Sequence, residues 1–361
     1  MSGLLLGFYM VLMILVAIGW SGRNNRRKLN SPCNGVSILI PFRNEEENLP
    51  ILLKALKDQN TNTPFEVLLI NDHSTDDYKA VLHPHLTNCS TVRLIELQED
   101  TGKKAAISKG VDASKYDIIL QCDADVIPGV DWIDAMTCEL TDEDALVCGP
   151  IQINNTGKWS WFNQIETIML QAITAAGIYW KFPLMANGAN LLYRRSDYLA
   201  YRSAQWGSKY QSGDDQFLME FIQKEGRGIR YCKNQSAIVL TSFSDHWNEM
   251  VEQRARWAGK NKRSNGLKTL INFFLAGIQV YFIFLLFGTV YDTHYFWLAL
   301  NFFFLKSLSE GLVVLFASSF FSFNSLRLIP LFALYYPLFI IQVGIKSLAG
   351  TYSWKGRIIR E

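Results

Sequence analysis

The sequence predicts an α/β domain, built on a mixed, mostly parallel sheet flanked by helices, with transmembrane helices at both ends of the chain. Two observations carry this prediction. From residue 35, short apolar runs of β type alternate with amphipathic helical runs, a pattern typical of a mostly parallel sheet with helices on both faces. Long apolar runs lie at the N-terminus and beyond residue 269, each near the ~20 residues that cross a bilayer as a helix.

The first apolar run, residues 3–20, carries no charge, and we expect residues 1–22 to form a spanning anchor. A cleaved signal peptide has positive charge ahead of its apolar run, but here the charges follow it. They are Arg23, Arg26, Arg27 and Lys28. Because positive charge stays on the cytoplasmic side, the C-terminal end of this helix should lie inside.

The alternating runs are, in chain order, VSILIP, NLPILLKALKD, FEVLLIND, TVRLIEL, GKKAAISKGVDA and DIILQCDAD. The second and fifth predict helices and the others strands. Ligands of such sheets bind beyond the carboxyl ends of the strands. The polar side chains that follow the first, second and fourth strands are Arg43, Asn44, Glu45, Asp72, Asp123 and Asp125. We therefore expect them to converge on one crevice.

Several classes of protein lose support. No Gly-x-Gly-x-x-Gly follows the first strand and no Gly-x-x-x-x-Gly-Lys-Ser/Thr occurs, which disfavours dinucleotide oxidoreductases and P-loop proteins. Lys plus Arg number 35 against 33 Asp plus Glu, so phosphate neutralisation on a nucleic acid is not expected. The cysteines show no Cys-x-x-Cys spacing and are expected to be small, reduced core residues. They are Cys33, Cys89, Cys122, Cys138, Cys148 and Cys232.

Asp123-Ala124-Asp125 is the first candidate site. Two carboxylates one residue apart at a strand end can ligate Mg²⁺ or Mn²⁺, which in turn neutralises a diphosphate leaving group. The pair alone is weak evidence, because acidic residues are common at strand ends. Its place after an apolar strand, ahead of the motifs described next, strengthens the prediction. Both ions suit carboxylate and phosphate oxygens, so the choice stays open.

The second candidate site is Gln-x-x-Arg-Trp, formed by Gln253, Arg256 and Trp257. These residues fall at i, i+3 and i+4, hence on one helical face. An arginine can bind a diphosphate through two charge-assisted hydrogen bonds, and an indole face can stack on a sugar ring. Arg254 and Arg263 are expected to point elsewhere and to meet phospholipid headgroups.

The order of these motifs resembles that of membrane-anchored family 2 glycosyltransferases with a Rossmann-like GT-A fold, the group that includes cellulose, hyaluronan and ceramide glucosyl synthases. The resemblance covers residues 35 to about 258, the expected cytoplasmic domain. It is carried by VSILIPFRNEEENL, FEVLLINDHSTDD, GKKAAISKG, the Asp-x-Asp, ANGANLLYRR, SGDDQFLMEFI and QRARW. It implies a metal-dependent, inverting hexosyltransferase that uses a nucleotide sugar.

The resemblance assigns one group of residues to the nucleotide sugar. They are Pro41, Arg43, Asn44, Glu45, Asp72, Lys103, Asp123 and Gly188. Asp72 would hydrogen-bond a uracil ring, which makes a UDP-sugar the expected donor. Lys104 is a register alternative to Lys103. Of the metal ligands, Asp125 would bind directly, and Asp123 would lie nearer the ribose and diphosphate.

The acidic motif of SGDDQFLMEFI supplies the expected base. Inverting transfer is a single displacement, so a base must remove the acceptor proton on the face opposite the departing diphosphate. The resemblance gives this role to Asp215. Both Asp214 and Asp215 could instead cap the helix that follows, and we expect capping for Asp214. The candidate catalytic set is Asp215, Asp214, Gln253, Arg256 and Trp257.

Three apolar stretches follow, at roughly 270–290, 296–317 and 328–348 within residues 269–350. Lys306 and Glu310 lie four residues apart in the middle stretch, and we expect them to pair. Three full crossings would place the basic tail, residues 351–361, outside, against the positive-inside rule. One stretch is therefore expected to be re-entrant or interfacial.

Residues 158–182 are nearly long enough to span the membrane and carry aromatic residues at both ends. If they spanned, the two motifs would fall on opposite sides of the bilayer. We therefore expect an interfacial helix, with Trp159, Trp161 and Trp180 at headgroup depth. A buried core helix is equally open on length alone.

A long polymer needs a protein channel through the bilayer, and three C-terminal stretches are few for one chain to enclose it, although a partner subunit or a homo-oligomer could complete it. We therefore expect a lipid acceptor, with a processive polysaccharide synthase as the alternative and an inactive membrane scaffold as a third hypothesis. The expected location is the bacterial inner membrane, with the catalytic domain cytoplasmic. The expected partners are the nucleotide sugar, a lipid or growing glycan, and the bilayer, without nucleic acid.

Overall fold

The computed structural model describes residues 2–22, 33–88, 90–154, 156–210, 213–261, 266–348, 351–354 and 357–360. The chain forms two compact units. The sheet unit comprises Arg23–Asn154 and Ile178–Ser242, and the helical unit comprises Met1–Gly22, Asn155–Gly177 and Phe243–Glu361.

The sheet unit contains the predicted mixed, mostly parallel sheet. Its strands are β1 Val36–Phe42, β2 Phe65–Asn71, β3 Val92–Glu96, β4 Ile118–Cys122, β5 Val126–Pro128, β6 Asp144–Cys148, β7 Ile151–Ile153, β8 Asn190–Arg194, β9 Gly228–Tyr231 and β10 Val239–Thr241. Seven strands pair in the order β3-β2-β1-β4-β8-β6-β9, and β5, β10 and β7 form a small second sheet. Strands β3, β2, β1 and β4 are parallel, whereas β8 is antiparallel to both β4 and β6. The predicted fold class is confirmed.

Parallel pairing of β1 with β2 and β4 puts their carboxyl ends at one edge of the sheet. All seven residues of β1 are buried, as expected for a strand covered on both faces. The helices of this unit are α2 Leu49–Lys57, α3 Tyr78–Asn88, α4 Lys103–Ala113, α5 Trp132–Thr137, α7 Arg195–Ser203 and α8 Asp214–Lys224. The segments that follow β1, β2 and β4 therefore start from the same edge.

The helical unit is built from long helices. They are α1 Ser2–Ser21, α6 Ser160–Tyr179, of which residues 178 and 179 belong to the sheet unit, α9 Trp247–Asn261, α10 Leu267–Gly288, α11 Thr293–Ser318 and α12 Ile329–Leu348. A hairpin of β11 Thr351–Trp354 and β12 Arg357–Arg360 follows. Among the described residues, four helices are long and apolar enough to cross a membrane, namely α1, α10, α11 and the segment Leu326–Leu348. This agrees with membrane anchoring at both ends.

The predicted pairing of Lys306 with Glu310 is confirmed. Lys306 Nζ lies 2.6 Å from Glu310 Oε1, and both side chains are fully buried. The Tyr9 hydroxyl donates to the same Glu310 oxygen at 2.7 Å. A buried carboxylate is tolerated only where charge and hydrogen bonds compensate it. This cluster therefore joins α1 to α11.

We expect Lys306→Met to destabilise the protein by about 3–5 kcal/mol, because it leaves the Glu310 carboxylate buried without its cation. The double variant Lys306→Met, Glu310→Gln should recover most of the loss, since a neutral amide can still accept from Tyr9. Thermal unfolding of the purified protein in detergent measures both. A single variant as stable as the wild type would contradict the expectation.

Helix α6 has the burial of a core helix. The Phe162 ring packs against Phe332 and Phe339 of α12, with centroid distances of 5.0 and 5.1 Å. Trp159 lies against Trp247 of α9 at 4.7 Å, while Trp180, in the sheet unit, is 47% exposed. Of the two interpretations left open by length, these contacts favour the core helix over one that rests on lipid.

Helix α12 packs along α9. The Trp247 indole donates to Gln342 Oε1 at 2.8 Å, and Lys346 pairs with Glu252 at 2.9 Å. Strand β11 also lies against α9. Three full crossings between α9 and β11 would put these two elements on opposite sides of the bilayer. Their contact therefore supports the expectation that one stretch does not cross fully, and α12 is the candidate.

Candidate active site

A cluster of charged side chains lies where β4 ends and where α4 and α8 begin. Asp123 follows β4 directly, and its carboxylate pairs with the ammonium of Lys103, the first residue of α4. Both side chains are about one-third exposed. Burial acts to lower the pKa of Lys103, but the charges of Asp123, Asp214 and Asp215 outweigh it and raise that pKa. Lys103 is therefore held as a cation among three carboxylates.

Gly188 lies at the centre of this cluster. Its backbone N–H donates to Asp215 Oδ2 at 3.1 Å, and its carbonyl accepts from the Gln121 amide at 3.2 Å. A Cβ at this position would lie 2.9 Å from Gln121 Nε2 and 3.2 Å from Lys103 Nζ. The absence of a side chain therefore lets Lys103, Gln121 and Asp215 approach one another.

We expect Gly188→Ala to lower catalytic efficiency by about 10-fold to 10²-fold, since misplacing a reacting group by about 1 Å has that effect. The groups that the new methyl would meet are ends of flexible side chains, so the fold should persist. Gly129→Ala is the matched control, because its Cβ would meet only Ser236 O at an ordinary 3.5 Å. Steady-state kinetics and thermal unfolding of the two variants test this, and equal activity would contradict it.

Asp215 is fixed by backbone donors on both carboxylate oxygens. Oδ1 accepts from Gln216 N at 2.9 Å and Oδ2 accepts from Gly188 N. A carboxylate oxygen has two lone pairs and can accept more than one hydrogen bond.

The N-cap position of α8 belongs to Gly213, with a φ of 93°. The capping role predicted for Asp214 is thus wrong in detail, because Asp214 is the first helical residue, where its charge still suits the helix N-terminus.

The residues after β1 join its loop to the loop after β2. Arg43 Nη1 donates to the carbonyls of Asp72 and His73 at 2.8 and 2.5 Å. Asn44 Oδ1 accepts from Thr75 N at 2.8 Å. The structure therefore brings Arg43, Asn44 and Asp72 together, and their contacts with a nucleotide stay predictions.

The remaining members of the predicted nucleotide group are also placed at this edge. Glu45 accepts from Asn48 at 2.7 Å and is 8% exposed. Asp72 is only 2% exposed. Pro41 is buried within β1. The contacts of these residues with a nucleotide stay predictions.

The structure separates the two lysine alternatives. Lys103 faces Asp123, whereas Lys104 donates to the carbonyl of Gly207 at 2.9 Å. Burial lowers the pKa of Lys104, an effect that the charge of Asp214 partly offsets. Lys103 is therefore the one that joins the acidic cluster.

Asp125 lies beside a cavity of the sheet unit. It is exposed and lines a space of about 180 Å³ together with the polar residues Asn48, Asn154, Thr241 and Ser242. Carboxylate, amide and hydroxyl oxygens suit Mg²⁺ or Mn²⁺. Within the described ranges, no three His, Cys, Asp or Glu side chains form a ready metal cage. An ion such as Mg²⁺ takes one or two carboxylates and completes its shell with water and substrate phosphates.

The Gln-x-x-Arg-Trp residues lie on α9 in the helical unit, where Gln253, Arg256 and Trp257 are half-buried. The expectation that Arg254 meets lipid headgroups is wrong. Arg254 is 5% exposed and its guanidinium bonds Glu166 Oε2 at 2.9 and 2.7 Å. Arg263 lies outside the described residues.

Sequence reasoning missed Gln121 and Glu166. Gln121 is 1% exposed and also accepts from the Tyr193 hydroxyl at 3.0 Å. Each is a polar residue within an apolar run, and that is the signal that could have found it.

The cysteine prediction holds for Cys122, Cys148 and Cys232, which are buried. It is wrong for Cys138, which is exposed, whereas Cys33 is half-buried and Cys89 is outside the described residues.

Comparison with known proteins gives three findings. Residues 37–200 match the family described as Glycosyl transferase family 2. Hyaluronan synthase of Pasteurella multocida is 32% identical over 119 residues, which are 32% of this chain and 12% of that protein. Undecaprenyl-phosphate 4-deoxy-4-formamido-L-arabinose transferase of Pseudomonas savastanoi pv. phaseolicola is 28% identical over 152 residues, which are 41% of this chain and 45% of that protein. The chain thus matches less than half the length of either relative.

The fold itself has a solved counterpart. Mannosyltransferase PcManGT from Pyrobaculum calidifontis, in complex with GDP-Man and Mn²⁺, superposes with a TM-score of 0.61 at 13% identity, over 94% of this chain and 95% of that one. At this identity the likeness shows a shared fold. It agrees with the topology of the sheet unit and with the GT-A fold expected from the motifs.

Proposed function

Residues 37–200 carry a family 2 glycosyltransferase domain of GT-A fold, and we propose that this protein moves a hexose from a nucleotide sugar to a membrane lipid. The proposed donor is a UDP-sugar and the proposed reaction inverts the anomeric carbon. One observation carries the choice of acceptor. Helix α9, with Gln253, Arg256 and Trp257, packs within the same unit as the four membrane-length helices.

The chemistry rests on Asp215. Its carboxylate, held by the N–H groups of Gly188 and Gln216, would accept the proton of the acceptor hydroxyl as the new bond forms. Lys103 would hold the Asp123 side chain in place through their ion pair. Its ammonium would also add positive charge beside the diphosphate. Arg256 is proposed to bind the leaving diphosphate and Trp257 to stack on a sugar ring.

The proposed metal ligands are Asp125 and Asp123. A divalent ion bound there would neutralise charge on the departing diphosphate. The amide and hydroxyl oxygens of Asn48, Asn154, Thr241 and Ser242, which line the cavity beside Asp125, support this assignment. The active face is proposed to be cytoplasmic, at the inner membrane, because Arg23, Arg26, Arg27 and Lys28 follow α1.

A second candidate is a processive polysaccharide synthase. It is favoured by the similarity to a hyaluronan synthase and to the chondroitin synthase of Pasteurella multocida, the latter 30% identical over 135 residues. The two candidates differ in the product, which is a lipid carrying one or a few sugars or a polymer. An inactive scaffold is disfavoured, because Asp123, Asp125 and Asp215 are all present.

The test is transfer of radiolabel from a panel of nucleotide sugars by membranes that contain the protein, with Mn²⁺, Mg²⁺ or a chelator. Products are split into lipid-extractable and alcohol-insoluble fractions. We expect chelator-sensitive label in the lipid fraction. Label in the insoluble fraction would favour the polysaccharide synthase, and absence of both label and nucleotide binding would leave only the scaffold.

A further inference from the structure

Arg254 is a buried arginine within the Gln-x-x-Arg-Trp motif. Its side chain contacts Gln253 and Trp257, the first and last residues of the motif. Its guanidinium donates to Gln253 Oε1. The same group lies over the Trp257 ring, with its central carbon 4.5 Å from the ring centroid, and over Phe243 at 4.7 Å. One arginine therefore touches both Gln253 and Trp257.

Residues of α6 fix the position of the Arg254 side chain. Glu166 of α6 accepts from Nε at 2.9 Å and from Nη2 at 2.7 Å, and Asn163 Oδ1 lies 3.4 Å from Nη2. Both partners of the Arg254–Glu166 ion pair are 5% exposed. A guanidinium fixed on two edges by a buried carboxylate has little freedom, because its planar fork is rigid. Whatever packs on it is fixed as well.

These contacts determine what the motif residues offer to a ligand. Because Gln253 Oε1 is bonded to Arg254, the amide NH₂ is the donor that the Gln253 side chain retains. Because the guanidinium covers one face of the Trp257 indole, a ring that stacks on this residue must use the opposite face. A hydrogen-bond donor beside an apolar ring face suits a pyranose, whose hydroxyls accept hydrogen bonds and whose C–H face is apolar.

We propose that Arg254, anchored by Glu166, is a positioning residue that fixes the Gln253 amide and the Trp257 ring for a sugar of the transfer reaction. The proposal rests on the function proposed above. A residue that only joined α6 to α9 would need the Glu166 bonds alone. The additional contacts with Gln253, Trp257 and Phe243 separate positioning from simple helix packing.

Arg254→Lys is the variant that isolates this role. Lysine keeps a cation for Glu166, so the buried charge pair survives and the protein should fold. Its compact ammonium cannot pair with the carboxylate, bond Gln253 and lie flat on the indole together. Glu252→Gln is the matched control. Glu252 lies on α9, like Arg254, and this change breaks its ion pair with Lys346 of α12 without altering a residue of the motif.

The first readout is the ¹⁹F NMR resonance of Trp257 in protein labelled with 5-fluorotryptophan, assigned by Trp257→Phe. We expect Arg254→Lys to shift or broaden this resonance and Glu252→Gln to leave it unchanged. The second readout is kinetic. Arg254→Lys should lower kcat/KM for transfer by about 10-fold to 10²-fold, with an unchanged midpoint of thermal unfolding and unchanged affinity for the nucleotide diphosphate.

An unchanged Trp257 resonance would overturn the proposal, and so would a shifted resonance with wild-type kinetics. If wild-type protein transfers no sugar from any donor, the proposed function fails. The resonance would then still decide whether Arg254 positions Trp257, since this readout needs no turnover.

Discussion

Replacing Asp215 with asparagine is expected to lower the rate of sugar transfer by about 10²–10⁴-fold, the range typical for loss of a catalytic base. The amide oxygen of asparagine can still accept from Gly188 N, as the carboxylate does at 3.1 Å. The local backbone should therefore persist, and nucleotide affinity should change little. An amide has no basicity near neutral pH, so the acceptor proton has no recipient. Single-turnover transfer together with calorimetry of nucleotide binding separates these two properties.

The matched control for Asp215→Asn is Asp112→Asn in the same unit. Asp112 forms an exposed ion pair with Arg202 at 2.8 Å, and exposed pairs contribute little to stability. The control should transfer sugar at the wild-type rate. If Asp215→Asn also retained that rate, Asp215 would not be the base. That result would point to an acceptor that needs no deprotonation, such as a lipid phosphate.

Asp125→Asn is expected to reduce transfer by about 10²-fold or more, because a metal that neutralises a leaving diphosphate contributes several kcal/mol to the transition state. The carboxylate is exposed and lines a cavity, so its removal should not unfold the protein. Titration of Mn²⁺ followed by electron paramagnetic resonance, with and without UDP, measures metal affinity directly. We expect metal-dependent UDP binding to weaken in this variant.

The same titration on Asp112→Asn serves as the control, since that carboxylate lies in a surface ion pair. Wild-type Mn²⁺ affinity in Asp125→Asn would rule out Asp125 as a metal ligand. A loss of activity with wild-type metal binding would assign Asp125 a role in the nucleotide site instead.

The first half of the sheet could be predicted from the sequence because its elements are encoded locally. VSILIP and DIILQC are mostly apolar runs, and they contain the fully buried strand β4 and the first six residues of the fully buried strand β1. The amphipathic run NLPILLKALKD became α2, with Leu49, Leu52, Leu53 and Leu56 buried. Strand β8, by contrast, inserts antiparallel between β4 and β6. Local periodicity does not encode which distant strand becomes a neighbour.

In the candidate site, too, the residue types were predictable from the sequence but the contacts between distant residues were not. The residue types of the Asp-x-Asp and Gly-Asp-Asp motifs identified the acidic cluster, but its contacts join residues far apart in the chain. Gly188 and Asp215 are 27 residues apart, and Glu166 and Arg254 are 88 apart. Helical spacing suggested that Arg254 points away from the motif, because spacing reflects only positions on α9. The carboxylate that draws this arginine inward lies on α6.

The long apolar helices were predictable from the sequence, but their packing was not. Length and apolar composition identified the four helices that, among the described residues, are long and apolar enough to cross a membrane, and four-residue spacing predicted the Lys306–Glu310 pair. The bond from Tyr9 to Glu310 spans 301 residues of sequence. No local pattern predicts that contact, which depends on how α1 and α11 pack.

The central claim is that this protein transfers a sugar from a nucleotide to a lipid. Its most direct test is mass spectrometry of the lipid extract after purified protein in liposomes is given a glycolipid acceptor with free hydroxyl groups, the donor nucleotide sugar and Mn²⁺. The account predicts a lipid heavier by one or a few hexose residues, formed by the wild type and not by Asp215→Asn. An unmodified lipid, together with a growing water-soluble polymer or with no consumption of donor, would contradict it.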